Sequence, residues 1–371
     1  MCRQFDSSQH HRNPLRQSGF FVVWQLDRRS NSSPLVAASI FFSDEGGLGP
    51  SFLVSPSKKA NIVTANVVVV QRTCLAHLPM DAVITYVDGL DPLWQEDFAR
   101  TVGQGILAKR YRDWGTLRFL IRGIERYMPY VERIHLVVSR ESQVPEWIDP
   151  ARVHVVLHRD IIPERFLPTF NSSMIEMFLH RIEGLAERFV YFNDDMFPVR
   201  PVAEDVLFRD GKATMGFSKV FFRMSRYKEL VFMSDRLARK ALGMKDAFYA
   251  VRPQHICSPM LRSCCEELYS KVEDSIMASL SPLREKKNFN QYVFLDYMYY
   301  TGRALPRRLS ARHFSLGAST MAKISSFILS PSRDFVCIND VSMSEERYNY
   351  CRKGILEAFG QRLPDKSSFE K

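Results

Sequence analysis

The stretch FVYFNDDMF at residues 189–197 decides the fold. Four β-favouring residues lead directly into Asn193, Asp194 and Asp195, which is typical of a buried strand that ends in a polar turn. In an open α/β sheet, ligands bind just beyond the carboxyl ends of the strands, where these two carboxylates fall. Adjacent carboxylates repel each other and are costly to bury alone. The stretch therefore indicates either a divalent-cation site that faces substrate phosphates or a solvated Asn-Asp turn.

The neighbouring segments predict an α/β fold with a mostly parallel, Rossmann-like sheet, flanking helices and a helical insertion or lid. Short apolar runs predict strands at residues 81–87, 134–138 and 153–157. Apolar residues at helical spacing predict helices at residues 117–128, 260–269 and 292–300. The first strand runs into the carboxylate-rich turn Asp88–Pro92. Nucleotide-binding folds place a ligand loop at this position.

A second strand end repeats the pattern of the first. The stretch FVCIND at residues 335–340 is again a short apolar run that ends in Asn339 and Asp340. If the two strands deliver these residues to the same end of the molecule, they build one cation site together.

Polar residues also precede a predicted helix in the middle of the chain. Ser173 and Glu176 fit a capping box, and the preceding residues include Asn171 and Ser172. Such a run is either a plain helix cap or an anion site formed by free backbone N–H groups. His255 stands in a Pro-bracketed loop ahead of another helix, where it is either a structural histidine or a general base.

Composition bounds the class of protein. The chain has 371 residues, of which 46% are hydrophobic and 25% charged, as in ordinary globular proteins. Its net charge of +10 suits phosphate-rich partners. The seven cysteines are odd in number and form no Cys-x-x-Cys pair, which argues against a zinc ribbon or a secreted disulfide framework and favours a cytoplasmic setting. No apolar run approaches the roughly 20 residues that cross a bilayer, so we expect only peripheral contact with a membrane.

The chain is expected to have three parts. Residues 1–79 are turn-rich and without clear period, and we expect a poorly ordered or dispensable extension, with Met80 as the natural start. Residues 80–345 are expected to form the catalytic domain, with the helical insertion at about 203–300. Residues 346–371 are expected to form a C-terminal tail or helix.

Four blocks in this order resemble the Stealth proteins, which include bacterial capsular polysaccharide phosphotransferases and the catalytic subunit of eukaryotic N-acetylglucosamine-1-phosphotransferase. The first block is DAVITYVDGLDP at residues 81–92. The second runs from YRD at 111–113 to NDD at 193–195, the third holds Gln254 and His255, and the fourth is CIND at 337–340. A segment with Arg284 corresponds to the family's Arg-containing segment.

The resemblance implies an enzyme that moves a hexose-1-phosphate, such as N-acetylhexosamine-1-phosphate, from a nucleotide sugar to a glycan hydroxyl. The product is a phosphodiester in capsular or exopolysaccharide synthesis, the donor a UDP-sugar, and the cofactor Mg²⁺ or Mn²⁺. The enzyme would work in the cytoplasm, at the inner face of the membrane. The residues that the resemblance assigns are catalytic His255, Asp195 and Arg284; substrate-binding Asp88, Arg112, Asp113, Asn171 and Ser172; and metal-binding Asp194, Asp195, Asn339 and Asp340.

Two other functions are compatible with parts of the pattern. A metal-dependent nucleotide-sugar glycosyltransferase would use the same paired carboxylates but release a nucleoside diphosphate instead of a monophosphate. A basic binding protein for nucleic acid or acidic glycan would show steep salt dependence and no need for Asp195. The four ordered blocks argue against the latter, so no nucleic-acid partner is expected.

Overall fold

A computed structural model of the chain describes residues 20–26, 36–42, 78–102, 111–222 and 225–371. The chain divides into two compact units, residues 1–73 and 74–371. In the first unit, strands β1 (Phe20–Leu26) and β2 (Val36–Phe42) pair in antiparallel fashion. Most of the predicted extension lies outside the described residues, so its expected weak order and dispensability stay predictions.

The second unit alternates strands and helices. Its strands are β3 Met80–Thr85, β4 Val131–Val138, β5 Val153–Leu157, β6 Arg188–Asn193, β7 Met196–Pro198, β8 Phe208–Arg209, β9 Lys212–Met215, β10 Phe217–Val220, β11 Ala250–Pro253, β12 Ser258–Leu261, β13 Ala304–Pro306, β14 Ala311–Ser315 and β15 Phe335–Asn339. Its helices are α1 Pro92–Val102, α2 Leu117–Tyr127, α3 His158–Ile161, α4 Ser172–Glu176, α5 Glu204–Leu207, α6 Arg226–Ala241, α7 Arg262–Ser279, α8 Tyr292–Tyr300, α9 Met321–Leu329 and α10 Glu345–Arg362.

The main sheet has five strands in the order β12-β6-β3-β4-β5. The last four of these run parallel, and β12 pairs with β6 in antiparallel fashion at the edge. In the central strand β3, Ala82, Val83 and Ile84 are all 0% exposed. Burial on both faces explains why these strands are continuous apolar runs instead of alternating ones. The predicted α/β fold with a mostly parallel sheet is confirmed.

A smaller sheet orders its strands β14-β15-β7. Strand β15 runs parallel to β14 and antiparallel to β7. Because only two residues separate the end of β6 from the start of β7, these residues, Asp194 and Asp195, form the link between the main sheet and this smaller one. The acidic pair therefore lies where the two sheets join, at the carboxyl edge of the parallel strands.

Two predicted helices begin at other residues than expected. The helix cap is Asn171, whose side chain accepts a hydrogen bond from Ser173 N, and α4 ends at Glu176. The helix predicted at 260–269 is present as α7 but begins at Arg262. Met260 and Leu261 belong to β12 instead, because pairing with β6 outweighs their helical spacing. The segment at about 203–300 contains strands as well as helices, and β12 joins it to the main sheet. Of the helices that the structure describes, none is both long and apolar enough to traverse a bilayer.

Candidate active site

The two strand ends that carry Asn and Asp lie side by side. Ile338 N donates a hydrogen bond to Asp195 O at 2.9 Å, and Cys337 pairs with Met196 in the sheet register. Strand β15 therefore extends past the acidic link and places Asn339 and Asp340 next to it. The structure thus brings together the strand tips that the sequence analysis singled out, because β15 pairs with β7 directly after the acidic link.

The carboxylates of this cluster raise each other's pKa. Burial and the charge of Asp195 raise the pKa of Asp194 to about 7, and Asp113 and Asp340 add to the shift. Burial raises the pKa of Asp195 to about 6, against a hydrogen bond from the Cys337 thiol that lowers it. Asp195 Oδ1 is buried without a hydrogen-bond partner among the described residues. Such a surplus of partly buried negative charge fits a divalent cation, whose charge would offset the repulsion.

The predicted metal ligands differ in exposure and in whether their side-chain oxygens already accept hydrogen bonds. Asp340 Oδ1 accepts a hydrogen bond from Val341 N at 2.6 Å, and its Oδ2 accepts one from Trp114 Nε1 at 3.3 Å. Asn339 is exposed beside it. Among the described residues, the ligand atoms of Asp195, His255 and Cys337 lie within 4.8 Å of one another. This group overlaps the predicted set only at Asp195.

His255 reaches the cluster because of the antiparallel edge strand. It lies just before β12, whose Ser258 pairs with Tyr191 of β6, so the loop ends at the carboxyl edge of the sheet. Its Nδ1 lies 3.1 Å from the hydroxyl of Tyr292, and its ring stacks on that of His313 with centroids 5.4 Å apart. Burial, with the charges of His313 and Arg284, lowers the pKa of His255 to about 4. The imidazole is therefore neutral at pH 7 and able to accept a proton.

Arg284 lies on an exposed loop next to these residues. Its guanidinium donates a hydrogen bond to the hydroxyl of Ser172, the first residue of α4. Its charge also acts on Glu176, whose pKa burial raises to about 7. Arg284 and Ser172 thus present a guanidinium and a hydroxyl beside His255, a pairing suited to phosphate oxygens.

The buried Asn171 side chain holds this loop by hydrogen bonds. It is 0% exposed, and its Nδ2 donates to Ser281 O at 3.0 Å, to Leu283 O at 3.3 Å and to Asn288 Oδ1 at 3.0 Å. Its Oδ1 caps α4. Both ends of the Asn171 amide are thus used internally and connect α4 to the loop that carries Arg284, and its predicted contact with a substrate stays a prediction.

A cavity of about 600 Å³ adjoins the acidic cluster. Asp88, Asp113 and Tyr86 line it, and burial raises the pKa of Asp113. Trp147 and Arg118 also line it, with the Arg118 guanidinium 5.1 Å from the centre of the Trp147 ring. Arg112 is not among its lining residues. Its side chain, 11% exposed, pairs with Glu345 at 2.5 Å and lies over the ring of Tyr348, so its predicted substrate contact finds no support here.

The sequence analysis did not single out four neighbours of the site: Tyr86, Tyr292, His313 and Cys337. Cys337 could have been found, because alternation along β15 places it on the face of Asn339. His313 lies on β14, where it pairs in register with Cys337 of β15. Strand β14 has no clear apolar pattern in the sequence. Tyr292 and Tyr86 carry no sequence signal that separates them from core aromatics.

The chain is similar to several known proteins. The family profile described as Stealth protein CR2, conserved region 2, matches residues 110–215. A capsular polysaccharide phosphotransferase of Streptococcus pneumoniae is 30% identical over 335 residues, covering 78% of this chain and 99% of the relative. An exopolysaccharide phosphotransferase of Lactiplantibacillus plantarum is 29% identical over 328 residues, covering 79% and 96%. A solved galactosyltransferase with donor and acceptor sugar analogues aligns over 78% of this chain and 98% of its own at 10% identity, with a TM-score of only 0.37.

Proposed function

Because this chain belongs to the Stealth family of polysaccharide phosphotransferases and is an enzyme that transfers a phosphorus-containing group, we propose that it moves a hexose-1-phosphate from a nucleotide sugar to a glycan hydroxyl. The donor would be a UDP-sugar, the acceptor a growing capsular or exopolysaccharide, and the product a phosphodiester. The convergence of the acidic strand tips, His255 and Arg284 at one edge of the sheet carries this proposal.

The acidic residues would hold Mg²⁺ or Mn²⁺. Two observations support this assignment: Asp194 and Asp195 repel each other, and Asp195 Oδ1 has no hydrogen-bond partner among the described residues. Asn339 and Asp340 lie next to this pair. A bound ion would supply positive charge against the diphosphate of the donor. The carboxylates contribute by fixing where that charge sits relative to the acceptor hydroxyl.

His255 would accept the proton of the acceptor hydroxyl. When its Nδ1 carries a proton and donates it to the Tyr292 hydroxyl, the lone pair on Nε2 is free for this task. The acceptor oxygen then bonds to the phosphorus next to the sugar, and the bond from that phosphorus to the bridging oxygen breaks. The nucleoside monophosphate leaves with the electron pair. Arg284 would bind the non-bridging oxygens that gain charge.

The donor would occupy the cavity beside Asp88 and Asp113. Its diphosphate then reaches the acidic cluster, while the sugar or nucleoside fills the space toward Trp147. Work on a growing polysaccharide is compatible with a cytoplasmic enzyme that contacts the inner face of the membrane only peripherally.

Analysis of the released nucleotide tests the proposal. The purified enzyme is incubated with candidate nucleotide sugars, a glycan acceptor and Mg²⁺ or Mn²⁺, and the nucleotide is identified by mass. We expect the monophosphate, its release to require the metal, and Asp195→Asn to lose roughly two decades of rate or more. Asp274→Asn, an exposed change of the same chemistry on α7, is the control. Release of the diphosphate instead identifies a glycosyltransferase and overturns the proposal.

A further inference from the structure

Three chemically different metal ligands, one of them the proposed base, lie close together. The carboxylate of Asp195, the imidazole of His255 and the thiol of Cys337 have ligand atoms that all lie within 4.8 Å of one another. They come from three separate parts of the chain: the link after β6, the loop before β12 and the strand β15. Cys337 has no place in the proposed reaction, which needs only hard oxygen ligands for Mg²⁺ or Mn²⁺.

The spacing is close to that of a tetrahedral zinc site. With the usual zinc–ligand bond lengths, the ligand atoms of such a site are about 3.4–3.6 Å apart. Cys337 Sγ already lies 3.5 Å from Asp195 Oδ2. The remaining separations, at most 4.8 Å, close with side-chain movements of about 1 Å.

The surroundings hold two of the ligands ready. Cys337 is fixed in the middle strand of the small sheet, between β14 and β7. The hydrogen bond between His255 Nδ1 and the Tyr292 hydroxyl orients the imidazole from behind, as outer partners of metal-bound histidines do. The unpartnered Asp195 Oδ1 adds a free oxygen on the same carboxylate.

We propose that Asp195, His255 and Cys337 bind zinc or another thiophilic divalent ion, and that this ion inhibits the enzyme. On binding, the Cys337 thiol releases its proton to solvent and the thiolate, imidazole and carboxylate occupy three positions around the ion, with the fourth left to water. A mixed sulfur, nitrogen and oxygen set selects zinc, cobalt or copper over Mg²⁺, which prefers oxygen.

Inhibition follows from which residues the ion engages. It occupies Asp195, a proposed ligand of the activating metal, and His255, the proposed base, at the same time. Excess Mg²⁺ does not displace it, whereas a chelator does. This inhibitory effect rests on the proposed function, but binding of the ion can be measured without any activity.

Co²⁺ titration of the chelator-treated full chain tests the binding. Cobalt bound to a thiolate gives a sulfur-to-metal charge-transfer absorption in the near ultraviolet, and Zn²⁺ should abolish it by displacing the cobalt. We expect this absorption in the wild type and in Cys265→Ser, a buried cysteine on α7 used as the control, but not in Cys337→Ser. An equal absorption in Cys337→Ser, or cobalt binding to the wild type without it, overturns the proposal.

Two further measurements keep the test decisive. If Cys337→Ser does not fold, His255→Ala retains the thiol and should bind Co²⁺ at least about tenfold more weakly, because one of three protein ligands is lost; unchanged affinity contradicts the site. In the nucleotide-release assay, Zn²⁺ should inhibit the wild type in the presence of excess Mg²⁺, and a chelator should restore the rate. Full activity with zinc bound would refute the inhibitory role while leaving the proposed reaction intact.

Discussion

At the scale of single residues, His255 carries the sharpest prediction. If it takes the acceptor proton, His255→Ala should lower the turnover rate by roughly two to four decades, because the substrate hydroxyl then loses its proton to water. The exposed His154 on β5, changed to Ala, is the control and should leave the rate close to that of the wild type. Single-turnover measurements with saturating donor would separate this effect from binding. A His255→Ala rate within threefold of the wild type would remove His255 from the mechanism.

His180 should make stability depend on pH. It is 6% exposed, packs against the rings of Tyr269 and Phe294, and its Nδ1 has no partner among the described residues. Burial, with a smaller effect of Arg181, lowers the pKa of His180 from 6.5 to about 3. Between these values the unfolded state binds one more proton than the folded state, so the free energy of unfolding falls by up to about 1.4 kcal/mol for each pH unit below 6.5.

His180→Phe removes the proton-binding group and keeps an aromatic ring. The free energy of unfolding of the variant, from urea titrations at several pH values below neutral, should fall less steeply with decreasing pH than that of the wild type. Equal slopes for both proteins would mean that His180 is protonated in the folded state or does not control acid stability.

The sequence alone singled out those candidate site residues whose charge or polarity is unusual for their position. Asp194 and Asp195 are charged residues directly after an apolar strand, where burial of a charge is costly. Asn339 and Asp340 follow a second apolar strand in the same way, so both pairs could be singled out without a structure. Asn171 and Arg112 were assigned by resemblance, and only the structure reveals that internal hydrogen bonds and an ion pair occupy them. Cys337 and Tyr292 look like core residues in sequence, because their polar atoms matter only through partners distant in the chain.

At the scale of elements, the loop that carries Arg284 depends on one amide. Asn171 is the cap of α4, and Asp is as good as Asn at that position by local preference. Its Nδ2, however, donates to three oxygen acceptors on residues 281–288, which a carboxylate cannot do. Asn171→Asp should therefore destabilise the protein by about 3 kcal/mol or more, since it faces oxygens with oxygen in a buried site.

Asn171→Ala is the informative comparison. It loses the cap and the three donated bonds but adds no charge, so denaturant titrations should rank the wild type above Asn171→Ala and both above Asn171→Asp. Donor affinity of any folded variant should fall because Arg284 loses its support. A stability of Asn171→Asp equal to that of the wild type would show that only the helix cap matters.

The sequence pattern predicted helices and strands correctly where strand pairing in the fold does not oppose that pattern. The helix Tyr292–Tyr300 and the strands Val153–Leu157 and Phe335–Asn339 lie where the sequence predicted them. Residues 262–269 of the helix predicted at 260–269 do lie in α7, but its first two residues were mispredicted. They pair with β6, a long-range interaction that helical spacing in the segment itself cannot reveal. Such pairing is also what brings His255 to the site.

At the scale of the whole second unit, the sequence predicted the parallel sheet but not how the segment after α10 packs. Residues 363–371 fold back onto the first half of the unit: Asp149 N donates to Phe369 O, and Lys371 N donates to Trp147 O, each at 2.9 Å. Arg122 of α2 holds this segment. Its Nε and Nη2 donate to the two oxygens of Glu370 at 2.6 and 2.9 Å, with side chains 10% and 3% exposed.

Glu370→Ala should lower the free energy of unfolding by about 3–5 kcal/mol, because it leaves the Arg122 guanidinium buried without its counter-charge. Glu357→Ala on α10 makes the same change in an exposed pair with Lys353 and should cost less than about 1 kcal/mol. Thermal and denaturant unfolding measure both. Lys371 N donates a hydrogen bond to Trp147 O, and Trp147 lines the cavity proposed to hold the donor. Glu370→Ala should therefore also raise the KM for the nucleotide sugar while the metal dependence stays the same. Equal losses in the two variants would mean that the buried pair does not hold the segment.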